Sequence, residues 1–164
     1  MIGNGRALAN FVLDECQREG RPITNLALQK IVYFCHVWSL VKLRQPLVKQ
    51  RFEAWQFGPV LQYLYRDFKE FERKPITTRS KGLDPITGEL QVVPYHFDIK
   101  VTQLLQQVVR VYSKLSPGSL VDLAHVTDGP WQRVWCHDGD VNPGMTITDE
   151  SILDFYACRQ PAFC

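Results

Sequence analysis

The residues best suited to chemistry form one short cluster, Cys136-His137-Asp138-Gly139-Asp140. A thiolate nucleophile needs a base beside it, and a divalent metal ion is bound by carboxylates together with imidazole. A hydrolase that uses the Cys136–Asp140 loop is therefore one hypothesis for this chain. However, the cluster lies in a loop flanked by glycine and proline, and no second histidine–carboxylate group has ligand spacing to it. A solvated acidic turn is the simpler interpretation, and we assign no catalytic residue.

The familiar catalytic and cofactor motifs do not occur in the sequence. There is no phosphate-binding loop, no G-x-S-x-G nucleophile elbow and no H-E-x-x-H metal motif. The five cysteines are an odd number without C-x-x-C spacing, which argues against a disulfide framework and against a zinc site. We therefore expect a protein that is not an enzyme and that needs no cofactor and no metal.

Length and composition indicate a globular protein with a single domain, residues 1–164. Hydrophobic residues make up 45% of the chain and charged residues 22%, as in ordinary globular proteins. The opening residues lack the apolar core of a signal peptide. The longest apolar stretch, residues 31–43, is interrupted by polar side chains and is too short to span a bilayer. We expect a cytoplasmic protein without a membrane partner.

Charge is spread unevenly along the chain. Residues 42–81 contain ten basic and four acidic side chains, whereas residues 120–164 contain seven acidic and two basic ones. A basic segment of this kind can attract a nucleic acid or an acidic protein. Two solvated surfaces that face each other in the fold are the alternative interpretation.

A helix-turn-helix is the second function class that the sequence raises. A first helix, a turn at Gly20 and a second helix from Thr24 or Asn25 superficially fit that motif. A recognition helix must present a polar face to the DNA groove. Here the second helix is apolar almost all round, and its polar stripe contains one lysine, Lys30, near its edge. The pattern argues against nucleic acid, and a DNA-binding or phage-related regulator is kept as the alternative function.

Helical periodicity dominates the chain and predicts the elements that must position any site. The predicted helices cover 6–19, 25–44 and 59–71, one follows an Asp98 cap, a short one begins near Ser119, and the last follows a Thr148 cap. Pro130 is predicted to start a further turn. Alternating residues 51–57 predict a strand, and residues 89–93 a second short one. We predict a mainly α, single-domain helical bundle of five or six helices around the buried second helix, with one small β element formed by these two strands.

Several segments are more distinctive together than any one of them alone. In chain order they are Leu26-x-Leu28-Gln29-Lys30-Ile31-Val32-Tyr33-Phe34, Phe52-Glu53-Ala54-Trp55-Gln56-Phe57-Gly58-Pro59-Val60, Tyr65-Arg66-x-Phe68, Leu120-x-x-Leu123-Ala124-His125, Pro130-Trp131 and Ile147-x-x-Glu150-x-Ile152. This series resembles the Panacea domain family, the SocA-like antitoxins, which also include phage- and prophage-associated proteins. The resemblance spans nearly the whole chain.

The resemblance implies a mostly helical domain that neutralises a cognate toxin by binding it, or that delivers the toxin to a protease as an adaptor. The expected partner is therefore a toxin protein, with a protease as the second partner in the adaptor mode. One departure from the family pattern is Phe57, which stands where tyrosine is common, and another is Ala124, which stands where the family more often has threonine.

Most of the shared motif suits a structural role, but a few residues suit an interface. Aromatic side chains beside basic ones are good interface anchors. Trp55 and Phe57 share one face of the predicted strand with Glu53, and the next helix carries three basic residues. The predicted partner-binding residues are Glu53, Trp55, Phe57, Arg66, Lys69 and Arg73.

Overall fold

A computed structural model describes residues 3–136, 143–161 and 163 of the chain. The described residues form a mainly α-helical fold with two small sheets, which confirms the predicted fold class. Among the described residues there are seven α-helices where five or six were expected, because residues 130–135 form a short helix where only a turn was predicted. They are α1 (Gly5–Arg18), α2 (Asn25–Leu43), α3 (Gln62–Phe68), α4 (Ile99–Tyr112), α5 (Pro117–Ala124), α6 (Pro130–Trp135) and α7 (Asp149–Tyr156).

Helix α2 lies at the centre of the molecule, as its nearly continuous apolar sequence predicts. Fifteen of its nineteen residues are buried, and α1, α3, α4, α5 and α7 all pack against it. Thr24 caps its first turn by accepting a hydrogen bond from the backbone N–H of Ala27, and Arg44 ends it in a left-handed conformation. A helix buried on all sides cannot lie in a DNA groove, so the helix-turn-helix interpretation has no recognition helix.

Among the described residues, α2 is the one helix that is long and apolar enough to cross a membrane by length and composition. However, 78% of the apolar window is buried within the protein itself. That degree of burial is what the core helix of a globular fold requires.

The few polar side chains of the α2 core have hydrogen-bond partners. His36 Nδ1 accepts from the backbone N–H of Leu47 at 3.2 Å, and its Nε2 lies 2.8 Å from Asp149 Oδ1. Nδ1 is thus an acceptor, so Nε2 carries the proton and donates to the carboxylate. Trp38 Nε1 donates to the hydroxyl of Tyr112 at 2.9 Å. His36 is therefore a structural histidine that joins the core to the start of α7.

The strands form two separate sheets, so the prediction of one β element from residues 51–57 and 89–93 was wrong. The first sheet has the order β2 (Gly58–Val60), β1 (Phe52–Trp55), β5 (Thr146–Ile147), and all its pairings are antiparallel. In the second, β3 (Lys81–Leu83) pairs with β4 (Leu90–Val92). In both sheets a strand pairs with its neighbour in sequence through a short connection, which closes at a smaller entropic cost than a distant pairing.

The start of α3 also differs from its prediction. Pro59 was expected at the first helical position, but Gly58–Val60 pairs with β1 as a strand and the helix begins at Gln62. Proline has no backbone N–H, but it is tolerated in β2 because this strand lies at the edge of the sheet. At its position opposite Ala54, Pro59 need not donate a hydrogen bond to β1. Similarly, α5 begins at Pro117 with Ser116 as its cap, not at Ser119.

Strands β3 and β4 form a projecting hairpin, residues 81–92, which we call the arm. Its root is held by the buried Asn10, whose Nδ2 donates to the carbonyls of Ser80 and Val93 at 3.0 and 2.9 Å. Asn10 Oδ1 accepts from the backbone N–H of Ser80 at 2.7 Å. Beyond this root the arm exposes large apolar side chains. Their exposed fractions are 71% for Leu83, 93% for Ile86, 67% for Leu90 and 49% for Val92.

Candidate functional site

A groove of about 510 Å³ opens between the N-terminal end of α2, the β1–β2 hairpin and α3. A second recess of about 400 Å³ continues it toward Pro117, and Leu26, Phe57, Glu72 and Arg73 line both. We call the two recesses together the aromatic groove. Its other main lining residues are Asn25, Gln29, Trp55, Tyr65 and Lys69.

Two side chains from the core hold the backbone of the β1–β2 hairpin, residues 52–60. Lys30 Nζ donates to the carbonyl of Pro59 at 2.9 Å, and Trp131 Nε1 donates to the carbonyl of Trp55 at 2.7 Å. Lys30 is completely buried, and burial lowers the pKa of its ammonium to about 7. We therefore call residues 52–60 the clamped hairpin.

Gly58 allows this clamp to form. Its φ of +105° is one that side-chain-bearing residues rarely adopt. A Cβ atom at this position would lie 2.7 Å from Lys30 Cε. The sequence Phe57-Gly58-Pro59 thus lets the lysine side chain pass directly beneath the turn.

A row of hydrogen bonds along α2 fixes α3 beside the groove. Gln29 Oε1 accepts from the backbone N–H of Leu61 at 3.1 Å, and Gln29 Nε2 donates to Asn25 Oδ1 at 3.1 Å. Asn25 Nδ2 then donates to the carbonyl of Tyr65 at 3.0 Å. The amide of the buried Gln29 is thus hydrogen-bonded through both its oxygen and its nitrogen, and the row places Tyr65 against the hairpin.

The aromatic side chains of the groove differ in how firmly they are held. Trp55 Nε1 donates to Glu53 Oε2 at 2.8 Å, and the Trp55 ring meets Tyr65 edge-to-face with centroids 5.2 Å apart. Phe57, at the tip of the hairpin, is 57% exposed. The Trp55 ring is therefore held in place at the side of the groove, and Phe57 is the aromatic side chain of the groove most available to a partner.

A stack of three rings supports the hairpin from behind. The His125 ring lies 3.6 Å from that of Trp131 at an angle of 8°, and Trp131 stacks on Trp135 at 5.7 Å. Burial, and then the charge of Lys30, lower the pKa of His125. Its buried Nε2 has no hydrogen-bond partner among the described residues. Stacking on Trp131 thus holds the His125 ring in a structural position.

Most of the chain is similar to known antitoxin-family proteins. The family model described as "Antitoxin SocA-like, Panacea domain" matches residues 28–132. The chain is also 36% identical over 152 residues to Antitoxin SocA of Caulobacter vibrioides (strain NA1000 / CB15N), which covers 92% of this chain and 81% of that protein. This chain belongs to the SocA-like, Panacea-domain antitoxin family. The resemblance expected from the sequence is confirmed, and no solved structure matches the chain.

The structure of this antitoxin-family chain brings together four of the six predicted partner-binding residues. Trp55, Phe57, Lys69 and Arg73 all line the aromatic groove. Glu53 lies behind them as the hydrogen-bond acceptor of Trp55. Arg66 is exposed on α3 but is not among the lining residues of the groove.

Sequence reasoning missed other residues of the groove and its support. Lys30 was noted only as a polar exception, although a lysine inside a long apolar run is itself a signal of a buried, specific contact. Tyr65 belonged to the shared motif and lies one helical turn before Lys69, but it was not assigned to the site. Glu72 had no sequence signal, because only the turn geometry brings it to the groove.

The structure offers no observation in favour of the hydrolase interpretation. Cys136 is exposed, while His137, Asp138 and Asp140 lie outside the described residues, so that hypothesis stays a prediction. Within the described part of the chain, no three His, Cys, Asp or Glu side chains are grouped to hold a metal ion. Cys16 and Cys35 are free and buried, and burial raises the pKa of the Cys16 thiol to about 12, so these two thiols are unreactive.

Proposed function

We propose that this antitoxin-family protein acts in the cytoplasm and suppresses a cognate toxin by direct contact through the aromatic groove, without catalysis. The observation that carries the proposal is the exposed Phe57 ring on a hairpin whose backbone is fixed by Lys30 and Trp131. An aromatic anchor on a rigid backbone loses little conformational entropy when it is buried by a partner. Such anchors carry a large share of the energy of tight interfaces.

The charges around the groove support a protein partner. Neither Lys69 nor Arg73 forms a salt bridge with another described residue, so both are available to a partner. Apolar lining from Leu26, Phe57 and Tyr65 lies inside this charged rim. An apolar centre with a polar rim is the usual arrangement of a protein–protein interface.

The proposal is tested by co-expressing the chain with the protein encoded by the neighbouring open reading frame and measuring growth and co-purification. We expect Phe57→Ala to weaken binding by about 2 kcal/mol, roughly thirtyfold, because it removes the central anchor. The pair Lys69→Glu and Arg73→Glu should mainly slow association. Matched controls are Ile99→Ala, which removes another exposed apolar side chain, and Lys100→Glu, an exposed charge, both on α4.

Two results would contradict the proposal. One is a neighbouring protein that is harmless, or whose toxicity persists at full expression of this chain. The other is a Phe57→Ala protein that melts like the parent and neutralises as well as the parent. The second result would show that the toxin contacts a surface other than the groove, and it would leave the antitoxin role in place.

Delivery of the toxin to a protease is a second mode, and the exposed apolar arm is the feature that favours it. An adaptor needs a surface for the protease besides the surface for the toxin, and exposed apolar patches often mark such contacts. The half-life of the toxin separates the two modes. Direct neutralisation leaves it unchanged or longer, whereas delivery shortens it only when this chain is present.

A further inference from the structure

The turn after α3 holds a glutamate in a conformation that glutamate disfavours. Glu72 has φ 52° and ψ −111°. The backbone N–H of Lys74 donates to the carbonyl of Phe71 at 2.8 Å, which closes a four-residue turn with Glu72 at its second position. These angles are those of a type II′ turn, where glycine is the usual residue. A glutamate there strains the backbone, and strained residues persist where the surroundings or the function require them.

Glu72 lies at the functional surface. Glu72 lines both recesses of the aromatic groove, beside Leu26 and Phe57. It is exposed, and its carboxylate forms no salt bridge and no side-chain hydrogen bond with any residue that the structure describes. It is therefore an acidic group, left without an internal partner, in a rim whose other charges are Lys69 and Arg73.

We propose that Glu72 is a specificity-determining contact that pairs with a lysine or arginine of the segment that fills the aromatic groove. The occupant is a polypeptide segment with an apolar side chain over Leu26 and Phe57 and a cationic group next to it. Lys69 and Arg73 repel that cation at every position except the one over Glu72, so the carboxylate sets the register of the segment. This inference rests on the proposed function only in taking the groove as the toxin contact.

A random peptide library displayed on phage tests the inference without the toxin. Peptides are selected on the full parent chain, and those that also bind a Phe57→Arg variant are discarded, which leaves groove ligands. We expect the retained peptides to contain lysine or arginine next to an apolar residue. Their affinities are then measured against the parent, Glu72→Gly, Glu72→Gln and the control Glu70→Gln, which alters an exposed acid two residues away that is not a lining residue.

The two Glu72 variants separate strain from recognition. Glu72→Gly should raise Tm by about 2 °C, because glycine accepts the turn conformation, and should weaken peptide binding about tenfold. Glu72→Gln keeps the strained backbone, so its Tm should equal that of the parent while binding falls by a similar factor. Glu70→Gln should change neither quantity.

Several outcomes overturn the inference. They are an unchanged affinity in Glu72→Gly, a lower Tm in that variant, or a selection that yields no groove ligand. A higher affinity in Glu72→Gln shows instead that the groove binds purely acidic segments. Neutralisation of the toxin by the parent is scored separately, so the proposed function can survive any of these results, and a failure to neutralise leaves the peptide result standing.

Discussion

The clamped hairpin and the arm are both two-stranded hairpins that present apolar side chains to solvent, yet they are held in different ways. The clamped hairpin is bonded from the core by Lys30 and Trp131 close to its tip. The arm is bonded by Asn10 at its root, and its outer residues are exposed on both strands. An isolated two-stranded hairpin is marginally stable. Exposure alone therefore does not identify a binding anchor, since the support of the backbone beneath a side chain sets the entropic cost of binding.

The largest expected difference between the two hairpins is the loss of stability when a glycine in each is replaced by alanine. Both Gly58 and Gly88 have positive φ, but a Cβ at Gly58 meets Lys30 whereas a Cβ at Gly88 has open space around it. We expect Gly58→Ala to lower the free energy of unfolding by about 3 kcal/mol, through backbone strain and overpacking together. Gly88→Ala should cost about 1 kcal/mol, through strain alone. Urea denaturation measures both, and equal losses would show that the Lys30 contact contributes nothing.

The second largest expected effect is the contribution of Lys30 to the pH dependence of the free energy of unfolding. Burial lowers the pKa of Lys30 in the folded protein to about 7, from 10.5 for an unperturbed lysine. Between these values the unfolded chain binds the proton more readily, so this group makes the protein more stable as pH rises. The buried Cys16 thiol, whose pKa burial raises to about 12, opposes the trend above its unfolded pKa. The contribution of Lys30 is therefore obtained by comparing the pH dependence of unfolding of the parent with that of a variant that lacks the lysine.

The measurement compares the parent with Lys30→Met by urea denaturation at pH 7.5 and pH 9.5. Relative to the variant, the parent should gain about 2 kcal/mol over this interval. Lys42→Met, an exposed position on the same helix, is the control and should keep the pH dependence of the parent. Parallel curves for the parent and Lys30→Met would mean that the ammonium is solvated and that the clamp is looser than described.

The smallest effect concerns the arm. Leu83 and Leu90 are opposite each other in β3 and β4 and are both largely exposed. Replacing both with serine should change the free energy of unfolding by no more than about 0.5 kcal/mol. Neutralisation by direct contact should also be unchanged, as measured by growth on co-expression. A loss of neutralisation together with a longer toxin half-life would assign the arm to a protease-delivery mode.

Sequence reasoning predicted the elements whose information is local. The periodicity of α1, α2 and α4 and the caps Asp98 and Thr148 were read correctly, because a helix's hydrogen bonds and buried stripe follow from its own residues. Of the two residues considered for the start of α2, the structure selects Thr24 as the cap. The pairing of β1 with β5 was not predicted, because the two strands are far apart in the chain: Phe52 is opposite Ile147. Short strands carry little information about such distant partners.

The candidate site was predicted in the same uneven way. Trp55, Phe57, Lys69 and Arg73 were found because an aromatic pair followed by basic residues is visible in sequence. The expected basic helix was too long, however, since α3 ends at Phe68 and both Lys69 and Arg73 lie beyond it. Arg66 was included as one of the basic residues that follow the aromatic pair, but it is not among the residues that line the groove. Glu72 was missed because its place depends on a backbone conformation that a glutamate rarely adopts.

The burial of α2 also limits how this antitoxin could evolve toward new partners. Most of its residues are fixed by packing, and Lys30, Gln29 and Asn25 are fixed by hydrogen bonds to neighbouring elements. Only a few groove positions, such as Leu26, Phe57 and Arg73, combine access to a partner with freedom from the core. Partner choice can therefore drift at a handful of sites while the scaffold is held constant by selection for folding.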